Sequence, residues 1–590
     1  MRRRPAVIGA AVCALLGAAL SGCVEIPDHG SIRTVQDVGD TAVESELEHF
    51  PPGPQKGAQK SAIVDGWFEA MTAAPVSATV ARQFLLPRSA EGWSPDGSFL
   101  VYETASLPEG AGPLTKTLFR VNEFNSRGQW VGTQRTREIA FDLDVESTGQ
   151  WRIKAIRDLG GEETVPARKS VIVPSAWFTQ QVEPMSLYFY SGSDKVLVPE
   201  PVYLPQGDQQ PTLLVRALLA GPVNRQVEHT FAPAGVKLPS VTVDRDGTAD
   251  IPLTGLSPDT PPETVERMAT QFAWTLQQIP TIKAVRILVD GEPLPLPDGE
   301  TTYAADDAFD LDPTGTGALN ALYGLRGGLA VRIIDGIEQQ LRGAFGQRDY
   351  GLRDISVSLD SAQMAGVNRN GDRILISGVT GGEGGASPAP RTVFTGGTDL
   401  MHPAWDLAGR MWVVDRRAKG AAVWVLRAGT RQRVQIPGVS GERVVDFLVS
   451  RDGTRFVAAV RGPHGDRIVV NRIVAAGGSV RATRSRQVLS YEGSDQSIRD
   501  IGWRSPTSIS YLSAAADRPA ELHSAILDGA PSVFDPKSLY ATLDATDLRV
   551  IGSPRESESM YLQHADNVFE PLSAGGPAIP AGVVALTYVG

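Results

Sequence analysis

The sequence predicts a multidomain chain of α+β and all-β parts, with two α+β domains first and a β-propeller of five or six blades last. Three observations carry this. At 590 residues the chain is too long for one ordinary core, so about three domains are expected. Twice in the first half, helical apolar spacing alternates with short β-branched and aromatic runs bounded by turn residues. From Asp354 onward a loose five-residue phrase returns every 44 to 54 residues, the spacing of propeller blades.

Before these domains, Arg2-Arg3-Arg4 lead into an apolar run, Ala6 to Leu20, broken only by Gly9 and Gly17. A charged head, a short apolar middle and small residues describe a secretory signal, too short for a spanning helix of about 20 residues. The closing Leu20-Ser21-Gly22-Cys23 resembles the lipobox of bacterial lipoproteins. That resemblance implies a signal peptide over 1–22, cleavage between Gly22 and Cys23, and a Cys23 carrying S-diacylglycerol and an N-acyl group. The other cysteine, Cys13, falls in the discarded segment, so the mature chain could form no internal disulfide. Stable anchoring needs more than one acyl chain, which a triacylated Cys23 supplies.

Charge narrows the partners. The chain carries -11, and loss of the three arginines with no acidic residue makes the mature part -14. Phosphate backbones need basic patches, so nucleic acid is not expected. Electrostatic adherence to an anionic leaflet is equally disfavoured. The expected attachment is the lipid bilayer, through acylated Cys23, at the extracytoplasmic face of the cell membrane.

Residues 23–60 read as the lipidated terminus and a tether, polar and unpatterned to Pro51-Pro52-Gly53-Pro54-Gln55-Lys56-Gly57. The first α+β domain is expected over 61–165. Ile63, Val64, Trp67, Phe68 and Met71 make one apolar helix face, with the two aromatics read as core. A second helix, Ala78 to Leu86, precedes strands at Phe99–Tyr102, Thr117–Val121, Ile139–Leu143 and Trp151–Ile156. This order is similar to nuclear-transport-factor (NTF2-like) cones.

The second domain is expected over 186–300, with strands at Leu187–Tyr190, Val196–Val198 and Val202–Leu204. A helix Pro211–Ala220 stops at Gly221-Pro222, and a hairpin turns on Asp246-Gly247. Thr264 to Gln278 is the clearest helix, and Val285–Val289 returns as a strand to Asp290-Gly291. With Leu218-Leu219-Ala220-Gly221-Pro222, this arrangement resembles the GerMN domain of bacterial envelope and spore-germination proteins.

The propeller is expected over 318–590. The repeated phrase begins at Asp354, His402, Asp446, Asp500 and Asp547, and His402 to Gly409 is similar to the turn of Tol-type repeats. Val584 to Tyr588 and the strand Gly328–Ile334 are expected to help close the ring. A lipobox, a Pro-rich tether, Ile63-Val64-Asp65-Gly66-Trp67-Phe68-Glu69-Ala70-Met71, a GerMN-like domain and a propeller together resemble the actinobacterial LpqB lipoproteins. The resemblance implies a non-catalytic accessory that binds the sensor domain of an MtrB-like histidine kinase and modulates its two-component signalling. Linkers at Pro51–Lys60 and Pro297–Gly317 predict domains that proteolysis separates.

No catalytic residue, cofactor or metal site is expected. The seven histidines share no ligand spacing, and no Walker loop or G-x-S-x-G elbow occurs. Asp354, Asp446, Asp500 and Asp547 read as turn caps within their own blades. The alternative is a glycan-binding or glycan-cleaving propeller with acids paired around its channel. The sequence leaves the oligomeric state open.

Overall fold

Helix Lys60–Ala70 buries Ile63, Val64, Trp67 and Phe68 on one face, as the spacing predicts. That face lies on a sheet ordered Trp151–Asp158, Trp130–Val145, Leu114–Phe124, Ser98–Tyr102, Ser170–Pro174. The computed structural model describes residues 49–590, except 111, 161–163, 316–320, 382–386, 516–517, 545–547 and 573–574. Strand Ser170–Pro174, unread in the sequence, runs parallel to Ser98–Tyr102. It is short and almost wholly buried, so it lacks the alternation that marks a strand.

The end of the expected tether is not free. His49 and Ala74 exchange backbone hydrogen bonds of 2.9 and 3.0 Å. The Gly57 amide donates to Gln150 Oε1 at 2.7 Å. The polar stretch is therefore docked on the first region from His49 on.

The second region joins a three-stranded sheet to a five-stranded one around a single core. Leu197–Pro205 is one strand where the sequence suggested two. Pro199 and Pro201 fit because this is an edge strand, where a missing N–H costs no ladder bond. Helix Pro262–Leu276 carries the chain between the parallel strands Thr248–Pro252 and Ala284–Val289. Asp290 and Gly291 both take positive φ, 54° and 87°, as a tight hairpin turn requires.

Among the described residues six antiparallel sheets follow, the blades of the propeller. Blade 1 is completed by the C-terminal strand: Val583–Thr587 pairs with Leu322–Arg326, which pairs with Leu329–Ile334. This is the expected closure of the ring. Blades 2 to 6 begin at Leu352–Val357, Ala404–Trp405, Arg443–Val449, Ser497–Ser505 and Arg549–Ile551.

The described residues form one compact unit in which the three regions pack on one another. Phe534, from blade 5, sits in the first region's core with ring centroids 5.1 Å from Phe178 and 5.5 Å from Phe124. Between Pro297 and Gly317, the expected weak point, Arg451 donates to the Thr314 carbonyl at 2.8 Å and Arg555 to that of Gly315.

A buried ionic network makes the third joint. Arg455 and Arg472 are cross-strand partners in blade 4. Two like charges so placed repel each other, and Glu200 of the second region lies against both, 3.3 Å from Arg455. Arg472 reaches Glu228 at 3.1 Å, and Arg455 reaches Asp452 at 3.3 Å. Burial alone would raise the Glu200 carboxyl, but Arg472 and Arg455 outweigh it and hold it below the ordinary range. Burial and the neighbouring Glu200 push Glu228 well above it. Two guanidinium groups therefore face Glu200, Glu228 and Asp452, and between the two glutamates the charge is favoured on Glu200 and the proton on Glu228.

Candidate functional site

Gly22 and Cys23 lie outside the described residues, as do Cys13 and Asp547. The other repeat residues come together at the axis of the propeller. Asp354, His402, Asp446, Asp500 and Arg549 form a ring, supplied in order by blades 2 to 6 at or just before their innermost strands. On one side of the ring a mouth of about 790 Å³ opens. On the other lies a narrower space of about 140 Å³, lined in part by Phe447, Trp503 and Tyr588.

The backbone explains how the aspartates reach the axis. The pairing register slips between Leu352 and Asp354, between Val444 and Asp446, and between Ile498 and Asp500. A bulge adds a residue to one strand and re-aims the side chain that follows. Each ring aspartate directly follows such a bulge, and the residues set out before two of them, Arg353 and Arg499, line the mouth.

The expected capping role is therefore reassigned. Asp500 Oδ2 accepts the backbone N–H of Val550, in the next blade, at 2.7 Å. Asp446 accepts from Phe447 at 2.8 Å and also from Ile501 of the next blade. Turn capping within a blade falls to other acids: Asp360 accepts the Ala362 amide, Asp406 that of Ala408, and Asp452 that of Thr454. Asp406 also holds Arg410 and the Trp412 indole at 2.7 and 2.8 Å. Trp405 and Trp503 are buried, in line with a core role.

The carboxyl groups of Asp446 and Asp500 are within hydrogen-bonding reach of each other, and burial lifts both. For Asp500 the neighbouring Asp446 adds to the effect and carries it well above the carboxylate range. The pair thus keeps a proton that separate carboxylates would lose. Desolvation holds the His402 imidazole below its ordinary range, against the pull of Asp354. His402 is therefore neutral near pH 7, with its ring stacked on Phe447 at 5.5 Å and 18°. Arg549 takes the fifth place, which the repeated phrase assigns to Asp547, two residues earlier. Among the described residues no three His, Cys, Asp or Glu side chains form a group able to hold a metal ion.

The 44-to-54-residue recurrence locates four of the five ring positions. The bulges themselves leave no mark in residue type.

This fold and ring define a β-propeller protein with a polar axial site, joined to two α+β modules. Comparison with known proteins places it further. Residues 53–160 match the family model "Lipoprotein LpqB, N-terminal domain", and 327–576 match "Lipoprotein LpqB beta-propeller domain". Residues 186–295 match the Germane model, "Sporulation and spore germination". The chain belongs to the LpqB lipoprotein family. It is 25% identical to Lipoprotein LpqB of Thermobifida fusca strain YX, over 86% of this chain and 87% of that one. The Streptomyces coelicolor relative of the same name is 25% identical, with 85% of each chain covered. That of Mycobacterium bovis BCG is 26% identical over 90% of each.

Proposed function

We infer that this chain is a lipid-anchored protein of the extracytoplasmic membrane face that works by binding, with the sensor domain of an MtrB-like histidine kinase as its partner. Through that contact it modulates two-component signalling linked to the envelope. One observation carries the binding part. Three domains are joined by a buried ionic network and a shared aromatic core, so they offer their surfaces to a partner as one body. The lipobox at Cys23 and the lipoprotein names of the relatives support the anchor. Among the described residues no helix is long and apolar enough to cross a membrane.

The test is direct. Full-length protein in nanodiscs is titrated against a sensor-kinase ectodomain in surface-plasmon measurements. Saturable binding is expected, and none at tens of micromolar would sink the partner assignment.

A second reading, a propeller that binds or cleaves wall glycan, gains from the convergence of three repeat aspartates on one cavity. Cleavage fits the geometry poorly. Glycosidases keep their two carboxyl groups about 5 to 9.5 Å apart so that the glycosidic bond, or a water, fits between them. Asp446 and Asp500 are in direct hydrogen-bonding reach and leave no such space. Release of reducing ends from purified wall material would reverse that argument.

A further inference from the structure

The mouth of the channel runs against the charge of the chain. Seven arginines and five carboxyl groups line it, in a protein whose net charge is -11. Burial and Asp446 lift the Asp500 carboxyl well above the carboxylate range, which works in the same direction. Arg353 is satisfied by Asp399 at 2.7 Å. Arg443 and Arg499 are not: both are exposed at the mouth, and neither makes an ion pair with a described residue. Arginine forks suit the paired oxygens of carboxylate and phosphoryl groups. A concave site of one sign concentrates ligands of the other.

The floor has a different chemistry. The Asp446–Asp500 pair shares its proton internally and offers carboxyl oxygens as acceptors, and a neutral imidazole has one N–H that donates and one ring nitrogen that accepts. Neutral His402 adds a ring nitrogen 3.9 Å from Asp446 Oδ1, too far to be used up by it. Groups that donate and accept side by side match hydroxyls. Arginines above and hydroxyl-matching groups below call for one molecule with an anionic group and several hydroxyls.

We propose that the propeller channel binds a small anionic carbohydrate, its carboxylate or phosphoryl group on Arg443 and Arg499 and its hydroxyls on Asp446, Asp500 and His402. A mouth of about 790 Å³ is within the range of small-molecule pockets. The site stands on the channel alone, so its failure and that of the kinase contact are separate results.

Calorimetry on the full-length chain in detergent tests this with four probes. They are N-acetylmuramic acid (carboxylate), glucose 6-phosphate (phosphoryl), neutral N-acetylglucosamine, and inorganic phosphate. Binding of one or both anionic sugars is expected, and which one binds identifies the anionic group. The neutral sugar and phosphate alone should bind about tenfold more weakly or not at all. Arg443→Ala with Arg499→Ala should cost the anionic sugar about tenfold or more while leaving Tm unchanged, since both side chains are exposed. Neutral sugar binding equally would show that the arginines play no part. Phosphate binding equally would remove the carbohydrate from the proposal. No binding of either anionic sugar at millimolar concentration would overturn it, as would an arginine double variant that binds normally.

Discussion

Asp500 Oδ2 accepts the backbone N–H of Val550 at 2.7 Å, so one side chain ties blade 5 to blade 6 at the axis. Both partners are buried. Truncating Asp500 leaves that amide without an acceptor, a loss of about 1–3 kcal/mol. Asp354 has no such duty: its carboxylate is partly exposed and reaches Arg353 only at 3.5 Å. Asp354→Ala should cost at most about 1 kcal/mol. Urea denaturation of the two alanine variants should rank them in that order, and equal losses would contradict the asymmetry.

The same pair predicts a pH dependence. Asp446 and Asp500 titrate higher in the folded chain than as free carboxyls, with Arg549, His402 and Asp354 facing them. The folded state therefore binds more protons than the unfolded state once pH passes the ordinary carboxylate range. Stability from this source is full at low pH and is lost as pH rises through the folded pair's own range. Asp500→Asn mimics the protonated form: its oxygen can take the Val550 amide while its NH₂ donates to Asp446. The Tm of the variant relative to wild type should rise as pH increases from 4 and level off once the folded pair has lost its proton. A difference that stays flat from pH 4 to pH 9 would mean that the pair carries no extra proton.

Much of the fold was legible because its signals are periodic. Trp67 and Phe68 were readable as core from helical spacing, and the recurrence from Asp354 gave the propeller and its closing strand. What escaped depends on contacts between distant segments. Nothing near Glu200 indicates that it answers two arginines more than 250 residues away. Phe534 reads as an ordinary apolar residue in a Pro-bounded loop, although it completes the core of another region. The repeat locates the ring aspartates but not the next-blade amides that Asp446 and Asp500 accept, because a bulge changes where a residue points and not which residue it is.

Glu200 supplies the next prediction. Its carboxylate answers both Arg455 and Arg472, of which Arg455 is almost completely buried. Glu200→Gln keeps the shape and removes the charge, leaving two facing guanidinium groups with Asp452 and Glu228 as their remaining acidic neighbours. Removing one member of a buried ionic cluster costs about 3–5 kcal/mol. Because the cluster joins the second region to blade 4, the variant should also lose single-step unfolding, with tryptophan fluorescence and far-UV circular dichroism giving separate midpoints. A single coincident transition with little loss of stability would show that the joint rests on other contacts.

The anchor proposed at Cys23 sets where the molecule would work. The lipobox reading requires a thiol at that position, because the signal peptidase that cuts between Gly22 and Cys23 acts only after the sulfur has received its diacylglycerol. Serine is close in size but offers a hydroxyl in place of the thiolate nucleophile. Cys23→Ser should therefore accumulate as uncleaved precursor with Arg2 to Gly22 still attached, or be cut at another bond. In the wild type, mass spectrometry of the N-terminal peptide should find Cys23 as the first residue, heavier by a diacylglycerol and an acyl chain. Three chains bury far more methylene than the single chain that gives only reversible attachment, at about 0.8 kcal/mol for each CH₂. Wild-type protein should thus stay with the membrane pellet through a high-salt wash that releases electrostatically held proteins. An unmodified Cys23, or release by salt alone, would remove the anchor and with it the membrane setting proposed for the kinase contact.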